Sequence, residues 1–378
     1  MSNPKKKFSW KPIVIITIFL GASFGVGWLI GFVLDPVLEE IPPEKFFPGL
    51  LGVYVVLLVS YFLQTVIHEA GHLLFGLLTG YRYSSFRIGS FMWVKYDGRI
   101  QLKRYSLAGT GGQCLMAPPD MKDGKYPYIL YNLGGCIANF IVSVIPLVIV
   151  LVHWQPDYWH FMALLWVGIG FLDVLMNGIP MRIQGMPNDG HNALSLGKNP
   201  KALQAFWLQM KIAEQIALGK RIKDLPEEWF VMPEKEDMQN SLIATVAVFV
   251  CNRLVDSGKY EEAAKEMAHL VNQKSGLVGI HKHMLNVDRI YCEMVGENRP
   301  EKLEELYTDD LRKMLKAMKT SPSTHRMQYL YAKYVEKDEK KAAAAMAAFE
   351  KVAKTYPYPH EIEGEREMIQ YAESKLAN

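Results

Sequence analysis

TVIHEAGHLLFGLL, residues 65–78, sets two histidines and a glutamate inside a run of leucine, isoleucine, valine and phenylalanine. Ionisable side chains in the middle of so apolar a segment cost about 2.5–3.5 kcal/mol each on insertion scales, so they need partners. His68 and His72 stand one helical turn apart on the same face, with side chains ~5–6 Å from each other. Two imidazoles at that separation can take two corners of a tetrahedral zinc site, and Glu69 lies close enough to reach a water that the metal activates. In that role the glutamate accepts the water's proton and then delivers it to a leaving amine. A bound metal is therefore expected to be what makes the cluster tolerable within lipid.

Working outward from this helix, the chain divides in two. Of its 378 residues half are hydrophobic and 21% charged. Apolar stretches over residues 12–34, 50–78, 129–153 and 160–180 each reach the ~20 residues that a helix needs to cross a bilayer. No stretch after Gly190 does so without charges. The first run is too long for a cleaved leader and no Ala-x-Ala-like site follows it, so it reads as a retained helix. Lys5, Lys6, Lys7 and Lys11 precede it, and the loop over residues 81–127 carries eight basic residues. The loop between the third and fourth spans carries none. The positive-inside rule then places both termini in the cytoplasm.

Between the second and third spans, YRYSSFRIGSFMWVKYDGRIQLKRYSLAG alternates bulky and polar residues around Asp97-Gly98, which predicts a β-hairpin over about residues 81–106. The segment after it, rich in Gly and Pro, reads as a loop. From about Pro200 the pattern is helical and amphipathic, with a break at Gly258. GKYEEAAKEM looks like the turn and second helix of a tetratricopeptide unit, and Tyr329, Ala345, Phe349 and Pro357 sit near positions that a second unit favours. A generic helical bundle reads equally well. Either way this half is expected to bind a partner rather than catalyse. Net charge of +3 is too small and too dispersed to point to nucleic acid. Cys114, Cys136, Cys251 and Cys292 lack Cys-x-x-Cys spacing, so neither a disulfide framework nor a thiolate zinc site is expected.

A catalytic zinc needs a third protein ligand and an open fourth position. Two aspartates compete. Asp173, in GFLDVLMNGIP, is intramembrane, where an unpaired carboxylate is expensive. Asp189, in GMPNDGHNAL, follows Pro180 and Pro187 and is flanked by glycines, so it could fold back toward the histidines. His191 and Asn188 read more simply as loop-surface residues. Asn177 and Asn139 could orient substrate or donate to an oxyanion, although interhelical hydrogen bonding explains Asn139 better. Gly71, Gly76, Gly134 and Gly135 read as permitting close helix packing.

HEAGH in a transmembrane helix, a hairpin after it, GGCIANF in the next span and NGIP…MPNDG after the last together resemble the site-2 protease family of intramembrane zinc metalloproteases, over about residues 50–195. The resemblance implies that the aspartate of the Asp-Gly pair, Asp189, completes a Zn2+ site with His68 and His72. It implies that Glu69 is the catalytic acid–base, and that a hairpin over about residues 86–104 helps to present an extended substrate strand. Two departures stand out. Gly134-Gly135 replace a usual Gly-Pro, and the spacer from Pro180 to Asp189 is longer than usual, with Asn188 in place of an aliphatic residue.

The expectation is a mainly α, polytopic membrane protein. Residues 1–48 form an N-terminal transmembrane helix and external loop. Residues 49–198 form a metalloprotease core of three helices and a membrane-associated hairpin. Residues 199–378 form a cytoplasmic, tetratricopeptide-like helical domain. The expected substrate is a membrane-anchored protein or signal peptide, cut in or near its transmembrane segment, with Asn177 a further catalytic candidate. Partners are the bilayer and a cytoplasmic protein bound through residues 199–378. A degenerate, non-proteolytic scaffold is the alternative, and the intact Glu69 speaks against it. The prenyl-protein processing type of membrane protease is excluded because no Glu-Glu pair is followed by the arginine of its Glu-Glu-x-x-x-Arg motif.

Overall fold

The computed structural model describes residues 43–377 apart from 107–109, 156 and 184–185, together with isolated positions before residue 43. The span expected over residues 12–34 thus lies, but for those positions, outside the described residues. Three helices long and apolar enough to cross a membrane follow, at Phe46–Leu78, Ile129–Val152 and Tyr158–Gly178. The first belongs to helix α1 (Pro43–Leu78), and the other two are α2 (Ile129–Val152) and α3 (Tyr158–Gly178).

Lipid tails give apolar helices no hydrophobic reason to associate, so close van der Waals contact must hold them. A Cβ on Gly71 of α1 would lie 2.3 Å from the carbonyl oxygen of Gly134 on α2, and one on Gly134 would lie 2.6 Å from that of Gly71. Glycine at both positions lets the two backbones touch. Above this contact a buried polar cluster ties all three helices together. Asn139 of α2 donates from Nδ2 to the Gln64 backbone oxygen at 2.9 Å and to Gln64 Oε1 at 2.7 Å. Gln64 Nε2 in turn donates to Ser143 Oγ at 3.4 Å. Gly170 of α3 makes room for it, since a Cβ there would strike Ser143 Oγ.

After α1 the chain forms an antiparallel sheet in the order β3-β2-β1-β4, with β1 at Arg82–Ile88, β2 at Phe91–Tyr96, β3 at Arg99–Arg104 and β4 at Gly112–Ala117. The expected turn is there. Asp97 (φ 47°) and Gly98 (φ 74°) make the left-handed two-residue connection that suits the twist of a hairpin. The sheet is larger than the expected hairpin, however. β4, read from sequence as loop, pairs with β1 from Arg82↔Ala117 to Ile88↔Gly112. Two strands alone are marginal in water. Here β4 buries Cys114 and Met116 against Tyr81, Tyr126, Tyr131, Leu203 and Met210, joining sheet, membrane helices and helical half in one cluster.

Helix α4 (Asp189–Ser195) and then α5 (Pro200–Ala217) follow the third span. α5 fastens the helical half to the sheet region: Arg82 pairs with Glu214 at 2.8 Å, Lys211 with Asp120 at 2.9 Å, and Trp207 Nε1 donates to the Pro119 carbonyl at 2.9 Å. The break expected at Gly258 is observed. α6 (Ser241–Asp256) ends and α7 (Tyr260–Asn272) begins around this residue, whose φ is +72°. The helices Gly279–Val295 (α8), Pro300–Leu306 (α9), Asp309–Ala317 (α10), Pro322–Leu330 (α11), Glu339–Ala353 (α12) and Pro359–Leu376 (α13) complete this half around a continuous apolar core. Arg326, 1% exposed, is held within it by Asp288 and Glu365 and lies over the Tyr291 ring. The cysteines are free and buried.

Candidate metal centre

His68 and His72 lie on the last third of α1, with ten residues or ~15 Å of helix between His68 and the end at Leu78. Each ring is held by its Nδ1. His68 Nδ1 donates to Asn139 Oδ1 at 2.7 Å, and the amide orientation is fixed because Asn139 Nδ2 is already committed to Gln64. His72 Nδ1 donates to the Tyr131 carbonyl at 2.7 Å. A carbonyl-type oxygen can only accept, so each Nδ1 carries a proton, and in the neutral imidazole Nε2 is then the nitrogen that can ligate. Gly135 leaves the space for the His68 ring, since a Cβ there would lie 2.5 Å from it. Packing explains Gly71 and Gly134 as expected. Gly135 serves the histidine itself, and Gly76 admits Met116 of β4.

The two Nε2 atoms stand 3.1 Å apart, and Asp189 Oδ2 lies 3.1 Å from the first and 3.3 Å from the second. Three lone-pair-bearing atoms at such spacings repel one another unless a proton or a metal ion lies between them. Ligands ~2.0–2.1 Å from a tetrahedral zinc are themselves ~3.3 Å apart. The set could therefore hold a metal ion, and two imidazoles with one carboxylate fit zinc. Asp173 is not part of this group.

Asp189 reaches the histidines because of what surrounds it. The long spacer folds as a two-stranded ribbon, Arg182–Ile183 with Met186–Pro187. Asn188 then ties the ribbon to the end of α3, its Nδ2 donating to the carbonyls of Met176 at 2.8 Å and Ile179 at 2.7 Å. Its Oδ1 accepts from the backbone N–H groups of Met181 and His191, each at 3.0 Å, and so caps α4. Gly190 completes the approach: a Cβ there would collide with the Gly178 carbonyl. The reading of Asn188 as a loop-surface residue is thus corrected. It is a four-bond knot that sets the position of the next residue, and a helix N-cap after Pro was the signal that could have found it. His191 accepts from Arg182 Nε at 3.3 Å on the exposed side.

Glu69 is buried beside the histidines. Its side chain lies over Gly112, where a Cβ would meet Glu69 Cγ and Oε1 at 2.6 Å. Gly112 opens β4, so the start of this strand lies against the carboxyl group. Arg87 of β1, 1% exposed, secures that start by donating to the Gly112 carbonyl at 3.2 Å, to the Gly89 carbonyl at 2.7 Å and to Thr110 Oγ1. Asn177, the other catalytic candidate, donates from Nδ2 to the Asp173 carbonyl in its own helix at 3.2 Å. Gln64, Arg87 and Gly112 were not singled out from sequence.

Apolar helices long enough to span a membrane surround three residues that could hold a metal ion, with a carboxyl group beside them. The chain belongs to peptidase family M50, the site-2 protease family, whose model matches residues 55–359. No curated protein and no solved structure matches it.

Proposed function

We infer that the protein is an intramembrane zinc endopeptidase in which His68, His72 and Asp189 are the metal ligands. The observation that carries this is the ~3 Å triangle of two imidazole Nε2 atoms and one carboxylate oxygen, in a chain of a metallopeptidase family. Zinc bound there would acidify a water toward pKa ~7 and polarise a carbonyl. Glu69 accepts the proton of the attacking water and returns it to the leaving amine. Asn177 is a candidate for donating to the oxyanion.

The substrate is a membrane-anchored protein or signal peptide. Peptide hydrolysis requires its transmembrane helix to unwind locally, since a helical backbone is closed to attack, and the unwound N–H and C=O groups then need new partners. Strand addition supplies them. β4 is an edge strand of the sheet and runs past Glu69, which makes it the strand for a substrate to join. The termini lie in the cytoplasm, and the tetratricopeptide-like half recruits a partner there.

The test is cleavage of single-span substrates by the purified protein reconstituted in lipid, against Glu69→Gln. Cleavage by wild type and loss of at least a thousandfold in the variant is the expected result. Equal cleavage by both would overturn the reading.

A further inference from the structure

Within the helical half lies a cavity of about 430 Å³, inside the ~300–1,000 Å³ range of sites for small ligands and side chains. Its apolar wall includes Val248, Phe249 and Met284, and Tyr105, the residue after β3, contributes to it from the sheet. Four carboxylates face it, and three of them have cationic partners within the fold. Asp256 is paired with Arg221, and Asp288 and Glu365 with Arg326. Glu361 differs. It accepts a hydrogen bond from Tyr356 at 2.8 Å and has no ion pair among the described residues.

A second observation points the same way. Arg326 Nε, on a side chain 1% exposed, has no hydrogen-bond partner, and neither has His281 Nδ1 on the same cavity wall. A guanidinium N–H can only donate, and a buried donor left unmatched is unfavourable. The cavity therefore presents an uncompensated carboxylate, an apolar barrel and a donor awaiting an oxygen. The rings of Tyr105 and Tyr356, packed edge to face with centroids 5.9 Å apart, line the same cavity and add aromatic surface of the kind that attracts cations.

We propose that this cavity binds a basic amino-acid unit, with its guanidinium or ammonium on Glu361, its aliphatic stem along Val248 and Phe249, and its carbonyl oxygen on Arg326 Nε. The unit is either a free basic amino acid or a lysine or arginine residue of a peptide. Both present the same chemistry, and only the second must enter with chain on either side.

Calorimetric titration of the full-length protein in detergent tests this, using free L-arginine, free L-lysine and the capped tripeptide acetyl-Ala-Arg-Ala-amide. L-Norleucine and acetyl-Ala-norleucine-Ala-amide are the uncharged counterparts. Saturable binding of at least one basic ligand, at least tenfold tighter than its norleucine counterpart, is expected, as is a loss of at least tenfold in Glu361→Gln. Binding of the free amino acids identifies them as the source, and binding of the tripeptide alone identifies a protein segment. Absence of saturable binding by every basic ligand, or norleucine binding equally well, would overturn the proposal without recourse to a variant. Val248→Trp, which fills the cavity from the apolar side, should abolish binding, and undiminished affinity in that variant would equally overturn it.

Discussion

Asn139 accepts the Nδ1 proton of His68 at 2.7 Å, and this bond decides which nitrogen of the imidazole faces Asp189. Partners of this kind typically contribute 10–100-fold to metal affinity. Asn139→Leu, of similar volume but without the acceptor, should weaken zinc binding by about that factor in competition with a chelator. Asn139→Asp, which keeps the acceptor, should lose less. Equal affinities for Asn139→Leu and wild type would show that the ring is held by something else.

Among the described residues Asn188 hydrogen-bonds to neither His68 nor His72, yet its four hydrogen bonds set the position of Asp189 beside them. Asn188→Ala removes a helix cap worth ~1 kcal/mol and strands two carbonyls and two N–H groups. Zinc affinity and substrate cleavage should both fall at least tenfold, measured by metal competition and by turnover. His191→Ala, one residue beyond Gly190, should leave both near wild type.

Two glycines, Gly135 on α2 and Gly76 on α1, should respond differently to a methyl group. In Gly135→Ala the new Cβ meets the His68 ring at 2.5 Å, and Asn139 prevents that ring from yielding, so metal content should collapse. In Gly76→Ala the Cβ meets Met116 Sδ, the flexible end of a side chain that repacks readily. Metal analysis of the two purified variants separates these outcomes.

Glu361 links the helical half to pH. Burial raises its carboxyl from the ordinary 4.5 to about 7, against a smaller opposing effect of the Tyr356 hydrogen bond. The folded state thus holds this proton more tightly than the unfolded chain does. The resulting stability is fully present below about pH 4.5 and is lost as pH rises through 7, a change of about 3 kcal/mol. Thermal unfolding of full-length protein followed by fluorescence should fall more between pH 5 and 8 in wild type than in Glu361→Gln. Parallel curves would contradict the assignment.

What could be read in the sequence was local. The i, i+4 histidines, the Asp97-Gly98 turn and the helix break at Gly258 each depend on residues a few positions apart, and each is where it was expected. β4 was hidden because GQCLMA is short, follows glycines and becomes a strand only by pairing with β1 and burying Cys114 and Met116. The Gln64–Asn139–His68 chain was hidden for a different reason. It joins two helices across 75 residues, and nothing in either segment shows which polar residue meets which. Asn188 looked like a surface turn because Pro-Asn-Asp-Gly usually is one. Here the carbonyls at the end of α3 supplied partners that sequence does not display.

The measurement that bears most directly on the metal centre is the zinc stoichiometry of the purified protein, taken with its X-ray absorption spectrum. One zinc per chain is predicted, with two imidazole nitrogens and a carboxylate oxygen in its shell, lost in His68→Ala, His72→Ala and Asp189→Ala but kept in Asp173→Asn. A protein that cleaves substrate while carrying no metal, or whose zinc survives Asp189→Ala and leaves with Asp173→Asn, would contradict it.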